Sequence, residues 1–175
     1  MIDPSRNHFE LFGLPPRFAI DADALDRMYH ALQSEVHPDK HAAGSDADRR
    51  NAMAMSVRVN EAYKALKDPV ERARYLLLLR GIDAFDETDT RLSTAFLEQQ
   101  LTRREKAAHA ADTDDLETLD AILADVRNEI RKRQARLEAL LEDAATTDQA
   151  KNAVRELRFL TKVADDVDAM LASID

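Results

Sequence analysis

The chain has 175 residues, a formal net charge of −9, 45% hydrophobic and 34% charged residues, and neither cysteine nor tryptophan. These counts exclude disulfides, thiolate nucleophiles and cysteine zinc fingers, and with aromatics at only 5% they argue against base-stacking platforms and extensive phosphate-backbone binding. The longest apolar run, Tyr75–Leu79, is far short of a membrane span. Met1-Ile2-Asp3-Pro4-Ser5-Arg6 has neither the apolar stretch of a signal peptide nor the pattern of a transit peptide, so a cytoplasmic protein with no nucleic-acid or membrane partner is expected.

All three glycines and all five prolines lie before residue 82. Residues 1–81 carry 12 basic and 12 acidic side chains, whereas residues 82–175 carry 13 and 22. Two breaks at one place predict a domain over 1–81, a linker over 82–92 with an acidic, aperiodic centre, and a second domain over 93–175.

In chain order, a short helix is predicted near His8–Phe12, stopped by Gly13 and Pro15-Pro16. A second opens after Asp21, repeats Leu25, Met28/Tyr29, Leu32 and Val36 on one face, and must stop at Pro38. The third begins after Asp46 and carries Ala52, Met55, Val59, Ala62 and Leu66 at helical spacing. Asp68-Pro69 is an N-cap with proline at the first helical position, so a fourth helix runs from there to Gly81. Beyond the linker, one helix covers about Ser93–Ala110. A long one places Leu116, Leu119, Leu123, Val126, Ile130, Leu137 and Leu140 on a seam interrupted only by Arg133. The last repeats Ala150, Val154, Leu157, Leu160, Ala164, Val167, Leu171 and Ile174, with turns over Asp112–Asp115 and Thr146–Asp148. No strand is predicted: the fold class is all-α, a helical hairpin domain followed by an antiparallel three-helix bundle.

The loop between the second and third helices contains His37-Pro38-Asp39-Lys40. Proline there fixes the backbone at the tip of a helix pair, so that an imidazole, a carboxylate and an ammonium are presented to solvent. Phe9-Glu10-Leu11-Phe12-Gly13-Leu14-Pro15, this tetrapeptide, and Val59-Asn60-Glu61-Ala62-Tyr63-Lys64-Ala65-Leu66 together resemble a J domain. Asp68-Pro69, Arg72-Ala73 and Tyr75-Leu76-Leu77 resemble one branch of that family, the HscB co-chaperones of iron–sulfur cluster assembly. Thr94-Ala95-Phe96-Leu97, Gln100-Leu101, Arg104-Glu105 and Leu157-Arg158-Phe159-Leu160 are similar to the scaffold-binding bundle of the same proteins.

The resemblance implies a two-armed adaptor, not an enzyme. Its J domain engages a DnaK/HscA-class heat-shock chaperone through His37, Pro38 and Asp39, with Lys40 and Arg27 beside them, and triggers ATP hydrolysis in that partner. Its bundle binds and delivers the scaffold protein IscU through Leu97, Leu101 and Phe159, with Arg104 and Glu105 at the rim. No cofactor and no metal is expected: His37 and His41 have the i, i+4 spacing of helical zinc ligands, but Pro38 keeps one helix from carrying both. A monomer is expected. Two departures stand out. The second helix offers only Arg27 and His30, then Lys40, against Asp23, Asp26 and Glu35, so steering towards an acidic chaperone surface is weak. Glu98 and Thr102 occupy positions where relatives often have an apolar residue and an acid.

Arg131-Lys132-Arg133 reads as a solvated helix face, and Met53 and Met55 as core and flank. Phe159 points away from the seam of the last helix, in a second apolar stripe with Val163 and Met170. By periodicity alone that stripe packs on a neighbouring helix as readily as it lies exposed; the resemblance favours a client face. The alternative function is a general J-domain co-chaperone whose acidic bundle serves dimerisation or unspecific clients. An enzyme using His37 and Asp39 as acid and base lacks any accompanying Gly-rich loop, nucleophile or metal set.

Overall fold

The computed structural model describes residues 6–37, 40, 45–86 and 92–174, and every regular element among them is helical. They are α1 (His8–Leu11), α2 (Ala22–Val36), α3 (Asp46–Lys67), α4 (Pro69–Leu78), α5 (Thr94–Asp112), α6 (Leu116–Glu142) and α7 (Thr147–Ile174). The chain divides into two compact units, the division falling between Leu76 and Leu77.

In the first unit, Asn7 opens α1 through a capping box with Glu10, and Asp21 caps α2 by accepting from the Ala24 N–H. α3 starts one residue earlier than its sequence suggests. Ser45, not Asp46, is the N-cap, because its hydroxyl and the Asp48 carboxylate satisfy each other's backbone N–H groups. Asp68 ends α3 and takes up the Val70 and Glu71 N–H groups at the start of α4. α4 closes at Leu78. Gly81 then adopts φ of 79°, and the Gly81 and Ile82 N–H groups bond back to the Leu78 and Leu77 carbonyls, a turn that favours glycine.

The core of this unit comprises Phe9, Phe12, Leu25, Val59, Ala62, Leu66 and Ala73, all essentially inaccessible. Met53 is exposed and Met55 half-buried, so only Met55 flanks that core. α2 and α3 run antiparallel, joined along one side by polar and aromatic contacts. Tyr29 and Tyr63 stack at 3.9 Å. The Tyr29 hydroxyl and the Gln33 amide donate to Asn60 Oδ1 at 2.9 and 2.5 Å, and the Tyr63 hydroxyl donates to Asp26 at 3.0 Å. Lys67 Nζ bonds to both Asp26 oxygens at 2.7 Å.

In the second unit α5, α6 and α7 form an up-down-up bundle. Arg127 pairs with Asp168 and Arg133 with Glu156, which sets α6 antiparallel to α7; Phe96 meets Phe159 and Arg104 meets Asp166, which sets α5 parallel to α7. The turn before α7 lies earlier than expected: a 3-10 turn over Ala144–Thr146, opened by Asp143, leads directly into the helix at Thr147. Leu116, the first residue of α6, is exposed and does not join the seam. α5 is shorter than its partners, and the chain from Arg80 to Phe85 packs against the part of the α6–α7 pair beyond it. Arg80 donates to the Leu141 carbonyl. Ala84 is buried and accepts from Arg155 Nε at 2.7 Å, and Arg158 lies over the Phe85 ring.

His8 is stacked on Tyr75 at 4.0 Å, and the Tyr75 hydroxyl accepts from its backbone N–H. Burial first, then the nearby Arg58 guanidinium, holds the imidazole below its ordinary pKa of 6.5. The folded chain therefore takes up fewer protons than the unfolded one, and this group lowers stability as pH falls below the unfolded value, levelling off once pH passes the folded pKa. Urea midpoints measured between about pH 7 and pH 5 are expected to fall less steeply in His8→Phe, which keeps the stack and removes the proton site.

Candidate functional site

The two sets of candidate residues lie on different units and are described separately. On the first, His37 is exposed and forms the C-cap of α2, with ψ of 129° taking the chain out of the helix. Pro38 and Asp39 lie outside the described residues. Lys40 is exposed; its N–H donates to the His37 carbonyl at 3.0 Å and its ammonium to Ser34 Oγ at 3.1 Å. Arg27 and Ser34 are seven residues apart on α2, hence on one face and about 10 Å apart along the axis. Arg27 is exposed, so the bond to Ser34 carries the Lys40 charge onto the same face, with His30 between them.

The acids on α2 do not offset these cations equally. Bonds from Lys67 first, then Tyr63, hold the Asp26 carboxylate below its ordinary range, and its charge is directed into the α2–α3 clasp. Asp23, exposed one turn before Arg27, stays on the same face as Arg27, His30 and the Lys40 ammonium, so that face carries both signs.

On the second unit, Leu97 and Leu101 lie one turn apart on α5 and expose 43% and 59% of their surfaces. The opposite face of α5 is buried through Phe96, Gln100, Ala107 and Ala110. Arg104 and Glu105 continue the exposed side by one further turn, Arg104 tied to Asp166 at 3.3 Å. The Thr102 hydroxyl turns back to the Glu98 carbonyl at 3.1 Å. Phe159 is half-buried, edge-on to Phe96 at 5.7 Å and 77°, and packs against the bundle core. Val163 belongs to that core at 2% exposure, so the second apolar stripe of α7 is internal at its middle residue, while Phe159 and Met170 pack against the core and keep partial access.

An ionic network on all three helices was not anticipated. Arg103, whose side chain is only 9% exposed, bonds to Gln100 on its own helix and to Asp125 and Glu129 on α6. Arg133 bonds to Glu129 and to Glu156 on α7, and its guanidinium sits 5.2 Å over the Phe96 ring. The interruption of the α6 seam was the signal: Arg133 faces inward, while Arg131 and Lys132 are exposed. The network lies directly behind the Phe96–Phe159 contact.

Among the described residues no helix is long and apolar enough to cross a membrane. A capped α1, an α2–α3 hairpin with His37 at its exposed tip, and a separate helical bundle define a J-domain co-chaperone. Residues 7–75 match the family model of the DnaJ domain, and residues 92–168 that of the HSCB C-terminal oligomerisation domain. The chain is 45% identical over all 175 residues, and 99% of its counterpart, to the co-chaperone protein HscB homolog of Burkholderia mallei (strain SAVP1). The structure is similar to the chaperone HscB from Vibrio cholerae, with TM-score 0.88 and 33% identity over 97% of this chain and 100% of that one. It is also similar to the human co-chaperone protein HscB, with TM-score 0.87 and 27% identity over 95% and 83%. The chain belongs to the HscB family of J-domain co-chaperones. It is not an enzyme, and its J domain implies an Hsp70-class partner.

Arg103→Ala leaves Glu129 with one cation in place of two and Gln100 without support, and is expected to cost about 3 kcal/mol of stability. Arg133→Leu/Glu156→Leu removes both members of a more accessible pair, but also the guanidinium over Phe96, and is expected to cost about 1–2 kcal/mol, less than Arg103→Ala. Chemical denaturation of both variants checks the difference.

Proposed function

We propose that this protein serves iron–sulfur cluster biogenesis, delivering an IscU-type scaffold protein to a DnaK/HscA-class chaperone whose ATPase its J domain stimulates. The observation that carries the reading is the pair Leu97 and Leu101, held open to solvent on a helix whose opposite face is buried, within a chain akin to HscB co-chaperones along its whole length. Two leucines one turn apart, on the helix whose Phe96 meets the half-buried Phe159, supply the kind of small apolar centre from which protein interfaces draw most of their energy. Arg104 and Glu105 supply a polar rim.

The chaperone arm is assigned to His37, Pro38, Asp39 and Lys40, with Arg27 as a peripheral contact. A cation-bearing helix face suits an acidic chaperone surface, and a carboxylate at the tip suits capture of an arginine there, a charge-assisted contact able to bias a two-state ATPase. The protein acts as a monomer in this reading, since each arm meets a different partner.

His37→Gln and Asp39→Asn are expected to abolish stimulation of the chaperone's ATPase while the circular dichroism spectrum and melting temperature stay unchanged. His37 is exposed, so a collapsed fold would show instead that the tip is structural. Leu97→Ala/Leu101→Ala is expected to weaken scaffold binding more than tenfold by calorimetry, with stability held within about 0.5 kcal/mol, as for other surface changes. This pair separates binding from folding better than Phe159→Ala, which also removes the edge-on contact with Phe96.

A further inference from the structure

Met53 and Val57 are the two most exposed large apolar side chains among the described residues of the first unit, at 66% and 49%. They lie one turn apart on α3. Met53 stands seven residues before Asn60 and Val57 three before it, so both border the Asn60 side of the helix. That side faces α2, because Asn60 accepts from the Tyr29 hydroxyl and the Gln33 amide. His30, whose ring is 5.5 Å from that of Tyr29, leads from the same clasp to the outer face of α2 with Arg27 and Ser34. One side of the hairpin therefore carries a polar clasp flanked by the charged face of α2 and by the Met53–Val57 pair of α3. The pair lies about 10 and 16 Å along the axis from the first residue of α3, at the end of the hairpin where His37 leaves α2.

We infer that Met53 and Val57 form an apolar arm of the surface that meets the Hsp70-class partner, packing on apolar side chains of that chaperone while the tip engages it. The inference rests on the assignment of His37 and its neighbours to that partner, and adds to it a source of affinity other than charge. Two arguments select this occupant. A specific interface covers roughly 800 Å² on each side, a patch about 30 Å across, so one that includes both the tip and the α2 face extends over the first turns of α3. Charge, moreover, does little for the encounter. Asp23 lies beside Arg27, His30 and the Lys40 ammonium on α2, and residues 1–81 are neutral by count, so steering is weak. A flexible thioether next to a small branched side chain gives an adaptable apolar contact that needs no steering. The scaffold has its own proposed face, Leu97 and Leu101, on the other unit.

The test is steady-state ATP hydrolysis by a purified DnaK/HscA-class chaperone, titrated with the full chain or with Met53→Ser/Val57→Ser. The variant is expected to need about tenfold more chain for half-maximal stimulation. It is expected to reach the same maximum, because the tip is intact, and to keep its melting temperature, because both side chains are exposed. The gap between native chain and variant is expected to persist at about 0.5 M salt, where a charge contact would be screened. Met53→Leu/Val57→Ile keeps the apolar surface and is expected to match the native chain. An unchanged half-maximal concentration, a lower maximum, a gap that closes with salt, or no rescue by the leucine–isoleucine variant would overturn the inference. So would sedimentation showing a native dimer that the serine variant splits, which would give the pair to a second copy of the chain. His37→Gln keeps the two readings apart. Stimulation that survives it, or a native chain that gives none, defeats the tip assignment and the inference with it. Stimulation lost in His37→Gln but unmoved in Met53→Ser/Val57→Ser defeats the apolar arm alone.

Discussion

Phe96 is the side chain on which the second unit depends. It is 5% exposed, lies under the Arg133 guanidinium and meets Phe159 edge-on. A guanidinium over a ring and a ring edge against it are both directional contacts, so they fix the roll of α5 about its own axis and not only its distance from α6 and α7. That roll decides what α5 shows to solvent. With Phe96, Gln100 and Ala107 turned inward, Leu97 and Leu101 have no choice but to face outward. The exposed pair of leucines is held in place by a partly buried ionic network that ties α5 to α6 and α7.

The first unit applies the same device with weaker materials. Its hairpin is clasped by Tyr29 on Tyr63, by Asn60 and by Lys67 on Asp26, most of them at least partly accessible, so α2 and α3 are held in register up to the exposed tip where His37 leaves the helix. Committing Asp26 to the clasp has an electrostatic result. The outer face of α2 keeps Arg27, His30 and the Lys40 ammonium brought over by Ser34, with Asp23 one turn before Arg27, while the Asp26 carboxylate is held by Lys67.

The amphipathic stripes made most of the helical order legible, since Leu25, Val59, Leu66, Leu119, Leu157 and Leu160 are buried where helical spacing put them. Errors gathered at the ends of elements. Ser45 outcompeted Asp46 as a cap because Asp48 could complete a reciprocal box, and Leu116 dropped out of the seam because it is the first residue of its helix. Periodicity also left Phe159 and Val163 undecided, as an apolar stripe reads alike whether it meets solvent or a third helix; α5 covers Val163 and leaves Phe159 half open. The ionic network was hidden for a different reason. Its members are on three helices, and charged residues read as surface until the chain is folded. Arg133 alone marked it.

The claim that both arms act together is tested most directly by single-turnover ATP hydrolysis in the Hsp70-class partner, measured with the intact chain at limiting concentration, with and without an IscU-type scaffold. If the protein is an adaptor, chain and scaffold together raise the rate beyond the product of their separate effects, because one arm brings the client to the ATPase that the other arm engages. Effects that simply multiply, or a scaffold that leaves the chain's stimulation unchanged, would contradict the account.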